Sequence, residues 1–127
     1  MYFIDASFYL SLLNSSDSNH KKAVLVAKKC KNNTFITSYM VIGEVLTVGC
    51  QRFNKKATIE FVQKIFSSNT RIMLEKPKLI IKAFELLKKI KTKNISWVDC
   101  YSLITIKEHN IPNLLSFDKH LLTRFKQ

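Results

Sequence analysis

Glycine is nearly missing from this chain, with only Gly43 and Gly49 among 127 residues. Loops that cradle nucleotide phosphates are built from clustered glycines ahead of a helix. Both of these fall inside a helical stretch, so dinucleotide and nucleotide-triphosphate sites are excluded. Cysteine is scarce too. Cys30, Cys50 and Cys100 make neither a CxxC pair nor a Cys/His cluster of zinc-site spacing, and no His or Asn signature makes any of them a nucleophile. Unpaired thiols predict a reducing, cytoplasmic setting. No stretch runs ~18 apolar residues without interruption, which excludes a helical membrane span. The N-terminal MYFIDASFYLSLL lacks the basic leader of a signal peptide and carries Asp5 within its apolar run. Repeats, linkers and low-complexity segments are absent as well.

Acids are the last scarcity, nine against 21 Lys and Arg, for a net charge of +12. A small domain so basic favours polyanion partners, although lysines can also serve solubility alone. What remains is a globular composition, 46% apolar. The length predicts a single domain over residues 1–127, able to bury about two-thirds of its unfolded surface.

Apolar runs predict strands over 2–5, 35–37, 71–74 and 114–117. Between them the 3.6-residue period predicts helices: one capped by Ser7, then 20–31, then 39–51 capped by Ser38, then 56–66 with Phe61, Val62, Ile65 and Phe66 packed. Pro77 opens another at its favoured first-turn position, with Leu79, Ile80, Ala83, Phe84, Leu87 and Ile90 on its core face. Ser96 caps the next, a turn at 110–112 follows, and a last helix covers 119–124. Strands alternating with helices imply an α/β fold with a mostly parallel sheet.

In such a sheet the strand C-terminal ends and the helix starts beside them form the ligand crevice. Parallel wiring sends Asp5 and Asp118, each at a strand end, to that edge. Asp99 sits in the first turn of a helix beginning there. Glu44 shares a helical face with Val41, Val45 and Val48, where an unpaired carboxylate is costly unless the stripe meets a crevice. Carboxylates at ~4 Å repel by about 4 kcal/mol at an effective dielectric near 20, so four of them must protonate, splay apart or hold a cation. An oxygen-only set selects Mg²⁺ or Mn²⁺. Each acid also has a structural reading: Asp99 as a helix-dipole acid, Asp118 as a helix cap. Asp5 has the least, since an apolar strand gains nothing from a terminal acid. A receiver domain needs an acid pair where Ile4 precedes Asp5, and a haloacid-dehalogenase-type phosphatase needs Asp where Ser7 stands, so both are excluded.

The strings FIDAS, VIGEV, SWVDC and LLSFDKHL, in this order across nearly the whole chain, resemble the PIN-domain ribonucleases, most of all the VapC-type toxins of toxin–antitoxin pairs. That resemblance implies a PIN-like, Rossmann-like three-layer sandwich with four to five mostly parallel strands flanked by helices. It implies an Mg²⁺/Mn²⁺-dependent endoribonuclease, a homodimer and a neutralising antitoxin. The family continues past the DKHL string into a further strand, which an end at Gln127 leaves missing or very short. By matching motif, Asp5, Glu44, Asp99 and Asp118 form the acidic set, with Ser116 supporting it. Asp5 and Asp99 fall to the inner metal shell, with Asp118 and Glu44 acting through water. Arg52, Lys55, Lys56, Lys119 and Arg124 are candidates to guide an RNA backbone, the RNA being single-stranded or structured, such as tRNA. Tyr9, Tyr39 or Trp97 could stack a base, with core packing the alternative, and His20, His109 and His120 read as surface residues. The alternatives are a catalytically idle RNA- or partner-binding protein on the same scaffold and a housekeeping RNA-processing nuclease.

Overall fold

The computed structural model describes residues 1–127. Four strands make one wholly parallel sheet: β1 (Tyr2–Ile4), β2 (Phe35–Ser38), β3 (Arg71–Met73) and β4 (Asn113–Leu115), in the order β3-β2-β1-β4. Seven helices connect and flank them: α1 (Ala6–Leu13), α2 (His20–Lys29), α3 (Tyr39–Arg52), α4 (Lys55–Ser67), α5 (Pro77–Lys89), α6 (Trp97–Glu108) and α7 (Lys119–Phe125). The result is an α/β three-layer sandwich at the four-strand end of the expected range.

β1 is central and its Phe3 and Ile4, which alternate across the sheet, are both buried, as a strand covered on two faces requires. They belong to the larger core, with Tyr9 of α1, Val41 and Val45 of α3, Val62 and Ile65 of α4 and Ile106 of α6. A second core lies between α5 and α6, built on Leu79, Ala83, Ile95 and Tyr101. Two expected core residues stand outside. Phe66 and Phe84 are 52% and 53% exposed. Phe66 lies in the last turn of α4, where its ring faces Tyr39. Phe84 lies at the rim of the α5 stripe under the ammonium of Lys88.

Two helix ends position the candidate site. Ser38 caps α3 by accepting from Val41 N–H at 3.2 Å. α6 stops in a Schellman turn: Asn110 takes a left-handed φ of 51°, and Ile111 N–H donates to the Ile106 carbonyl at 3.0 Å. Ile106 and Ile111 then pack in one core, and the chain enters β4 beside β1. The last strand is shorter than the expected 114–117 because the next amides bond to side chains. Ser116 accepts from Asp118 N–H, and Ser7 accepts from Phe117 N–H, both at 3.0 Å.

Candidate active site

β1 and β4 are parallel neighbours, with Ile4 beside Leu115, so the residues that follow them, Asp5 and Ser116, leave the sheet together. Asp5, not Ser7, is the N-cap of α1. Its carbonyl takes Tyr9 N–H and its Oδ2 accepts from Ser7 N–H at 3.3 Å. The terminal acid therefore does have a structural role, contrary to the sequence reading. The same Oδ2 also accepts from Ser7 Oγ at 2.7 Å and Ser116 Oγ at 2.9 Å. The stacked rings of Phe8 and Phe117, 5.5 Å apart, hold α1 against this junction.

The other acids share this economy. Asp99 closes a capping box with Ser96: its Oδ2 accepts from Ser96 N–H at 2.9 Å, and Ser96 Oγ accepts from Asp99 N–H at 3.1 Å. Asp118 caps α7 with Oδ1, which accepts from His120 and Leu121 N–H at 2.9 and 3.0 Å. Glu44, half-buried beside Val41 and Val45, accepts no hydrogen bond of regular geometry. Each of the four acids thus keeps at least one oxygen without a well-aligned protein donor. None has a cation partner either, because the ion pairs in the fold are Lys82–Glu108 and Lys88–Glu85.

The field of these charges is visible in their protonation. Burial pushes Glu44 up to about 7, and the charges of Asp5, Asp99 and Asp118 push in the same direction. Asp99 rises to about 6, again first by burial, with the Ser96 amide opposing and Asp5 and Asp118 adding. Asp5 is raised by burial against the pull of Ser7 and Ser116. The four acids are near enough to feel one another, yet no three side chains already enclose a single point as an ion would require. Their chemistry fits a hard cation, since the spare donors are all carboxylate oxygens.

The basic candidates are placed unevenly. Lys119 follows Asp118 directly and is exposed. Arg124, on the same helix, is near enough to α6 for its charge to act on the Cys100 thiol, which burial and Asp99 push up. Arg52 ends α3, eight residues and about 12 Å along the axis beyond Glu44, with Lys55 and Lys56 opening the next helix. All three are exposed, and none shifts any of the acids.

Tyr9 is buried edge-on to Phe61 and Trp97 packs on the α5–α6 core, whereas Tyr39 is 45% exposed. His20 and His109 each use Nδ1 to donate to a carbonyl, Ser11 at 2.8 Å and Thr105 at 3.0 Å, and His120 is exposed. Sequence reasoning missed two contributors. Ser7 reads as a cap in the sequence, whereas its side chain joins Asp5 and Phe117. Glu75 was unassigned, yet its carboxylate accepts from Met40 N–H at the start of α3. The signal for Ser7 was its place two residues after an acid that could itself cap.

The PIN domain family matches residues 2–126. The 23S rRNA-specific endonuclease VapC20 of Mycobacterium tuberculosis, in two strains, is 28% identical over 118 residues, spanning 93% of this chain and 89% of the relative. The crystal structure of VapC20, described as a sarcin–ricin loop cleaving toxin, superposes with a TM-score of 0.89 at 25% identity, covering 98% of this chain and 95% of that one. VapBC2 from Rickettsia felis, solved with a DNA fragment from its promoter, shares the fold at a TM-score of 0.58 and 19% identity over 92% of this chain and 98% of that one.

Proposed function

The chain belongs to the PIN domain family, and from that premise we propose that it is a metal-dependent endoribonuclease and the toxin of a toxin–antitoxin pair. The observation that carries this reading is the set of four carboxylates at one sheet edge, each with an unclaimed oxygen and none with a cation partner. The likeness to an endonuclease toxin over 93% of the chain supports it.

Asp5 and Asp99 would hold an Mg²⁺ or Mn²⁺ ion directly through the oxygens left free by their caps, and Asp118 would hold it through water. Such an ion, when bound, neutralises charge building on a phosphate and makes water a better nucleophile. Glu44, half-buried and raised to about 7, orients the attacking water and accepts its proton near neutral pH. Ser116 keeps Asp5 aimed. Lys119 and Arg124 draw the RNA backbone to the cleft, and Arg52, Lys55 and Lys56 extend that attraction along the surface.

The substrate is RNA, single-stranded or folded, and the partner that silences the enzyme is an antitoxin protein. A homodimer in a reducing cytoplasm completes the proposal, consistent with the free thiols of Cys30, Cys50 and Cys100. No helix is long and apolar enough to cross a membrane.

The test is cleavage of end-labelled RNA, including tRNA and ribosomal RNA, by protein freed of any partner. The arms are Mn²⁺, EDTA and Asp5→Asn. Cleavage that needs the ion and disappears in the mutant is expected. RNA binding without cutting would replace this reading with the idle binder, and an equally active mutant would overturn the carboxylate mechanism.

A further inference from the structure

Building on the reading of the carboxylates as an ion-holding site, we infer that Ser7 is a positioning residue that decides which oxygen of Asp5 is left for the cation. Ser7 is the second residue of α1, where a serine hydroxyl ordinarily faces water. Here both of its capacities are taken up inside the protein. Its Oγ accepts from Phe117 N–H at 3.0 Å and donates to Asp5 Oδ2 at 2.7 Å.

Ser116 does the same from the other side, accepting from Asp118 N–H at 3.0 Å and donating to Asp5 Oδ2 at 2.9 Å. Each hydroxyl has one proton, and both lie within donating distance of the same carboxylate oxygen. The 3.0 Å approach of the two hydroxyl oxygens to each other follows from that shared acceptor. With Ser7 N–H added, Oδ2 has three donors, whereas Oδ1 has none of regular geometry.

The rotation of a carboxylate about its last bond is otherwise broad and two-fold. Two successive amides of the β4–α7 junction, Phe117 and Asp118, are therefore wired through two serines to Asp5, which is only 3% exposed. Ser116 cannot replace Ser7, because its lone-pair contact is with a different amide. Removing the Ser7 hydroxyl strands Phe117 N–H and takes from Asp5 Oδ2 the shortest of its three donors, loosening the carboxylate's orientation.

Residues that orient a metal ligand from behind typically change metal affinity by about 10–100-fold. The test is an electron paramagnetic resonance titration of free Mn²⁺ against the full chain without RNA, for wild type, Ser7→Ala and Ser7→Thr, with thermal midpoints alongside. Ser7→Ala is expected to weaken Mn²⁺ binding about 10–100-fold, and Ser7→Thr, which keeps the hydroxyl, to stay near wild type. Faster hydrogen exchange at the Phe117 amide accompanies the loss. Should Ser7→Ala fail to fold, Ser7→Cys keeps the shape with a poor donor, and weakened binding is expected there.

Wild-type affinity in Ser7→Ala, or equal losses in Ser7→Ala and Ser7→Thr, would overturn the assignment while leaving the ion site standing. Wild-type protein that takes up no Mn²⁺ would overturn the ion site and this assignment with it.

Discussion

The carboxylate of Glu75, in the loop entering α5, accepts a hydrogen bond from the backbone N–H of Met40 in the first turn of α3. The next residue, Lys76, donates its own N–H to Tyr101 Oη on α6 at 3.0 Å. One loop thus ties together the helices that carry Glu44 and Asp99. Its acid also complements the positive end of the α3 dipole.

Glu75→Ala is expected to lower stability by about 1.5 kcal/mol, the lower end of the range for a charge-assisted bond because Glu75 is half-buried. Glu75→Gln, which keeps an acceptor oxygen, loses less. Urea unfolding midpoints decide it, and an alanine variant as stable as wild type contradicts the capping role.

The raised acids set a pH window. Glu44 at about 7 and Asp99 at about 6 both bind protons more tightly folded than unfolded, where carboxylates titrate near 4. Their contribution to stability is therefore complete below pH ~4 and is lost as pH climbs through 6 and 7. In chelator, the thermal midpoint is expected to fall between pH 5 and pH 8. Millimolar Mn²⁺ should restore it at the upper end, since a ligand of the folded state stabilises by mass action. A midpoint that climbs over this range in chelator would contradict the crowding of the acids.

Asp118 separates structure from chemistry by choice of substitution. Its Oδ1 caps α7 through two amides, and the amide oxygen of asparagine can do the same. Asp118→Asn is expected to unfold within about 0.5 kcal/mol of wild type, whereas Asp118→Ala loses about 1 kcal/mol of capping. Both should lose Mn²⁺-dependent cleavage. Full activity in Asp118→Asn would remove this residue from the site.

The two glycines of α3 should respond with opposite signs. A Cβ on Gly49 would sit 2.6 Å from Thr58 Oγ1 and 2.7 Å from its Cγ2, and Thr58 is pinned by its bond to the Asn54 carbonyl. Gly49→Ala is expected to cost about 1–3 kcal/mol as overpacking. A Cβ on Gly43 meets nothing within 4 Å, so Gly43→Ala should gain about 1 kcal/mol from helix propensity. Chemical denaturation of both variants checks the pair.

Much of this was legible in the residues, and what escaped has physical causes. Helix starts at Ser38, Pro77 and Ser96 could be read because capping and proline chemistry are local. The start of α1 was misread by two residues, since Asp5 and Ser7 are both good caps and only the turn of the backbone selects Asp5. Periodicity gives the inward faces of α4 and α5 but not their rims, where Phe66 and Phe84 stand exposed. The converging edge of the sheet followed from parallel wiring alone. The hydrogen bonds that finish it, from Phe117 N–H to Ser7 and from Met40 N–H to Glu75, join residues 110 and 35 positions apart, beyond the reach of any local rule.

The strand order also has a consequence for timing. β1 is made before β4, yet the two are neighbours in the sheet, and Asp5 waits for its second hydroxyl donor 111 positions downstream. A nascent chain that has not reached Ser116 has an open edge on β1 and an Asp5 held from the α1 side alone, with Asp118 still to be made. The edge that gathers Asp5, Ser116 and Asp118 therefore closes only once β4 has been made and has paired with β1.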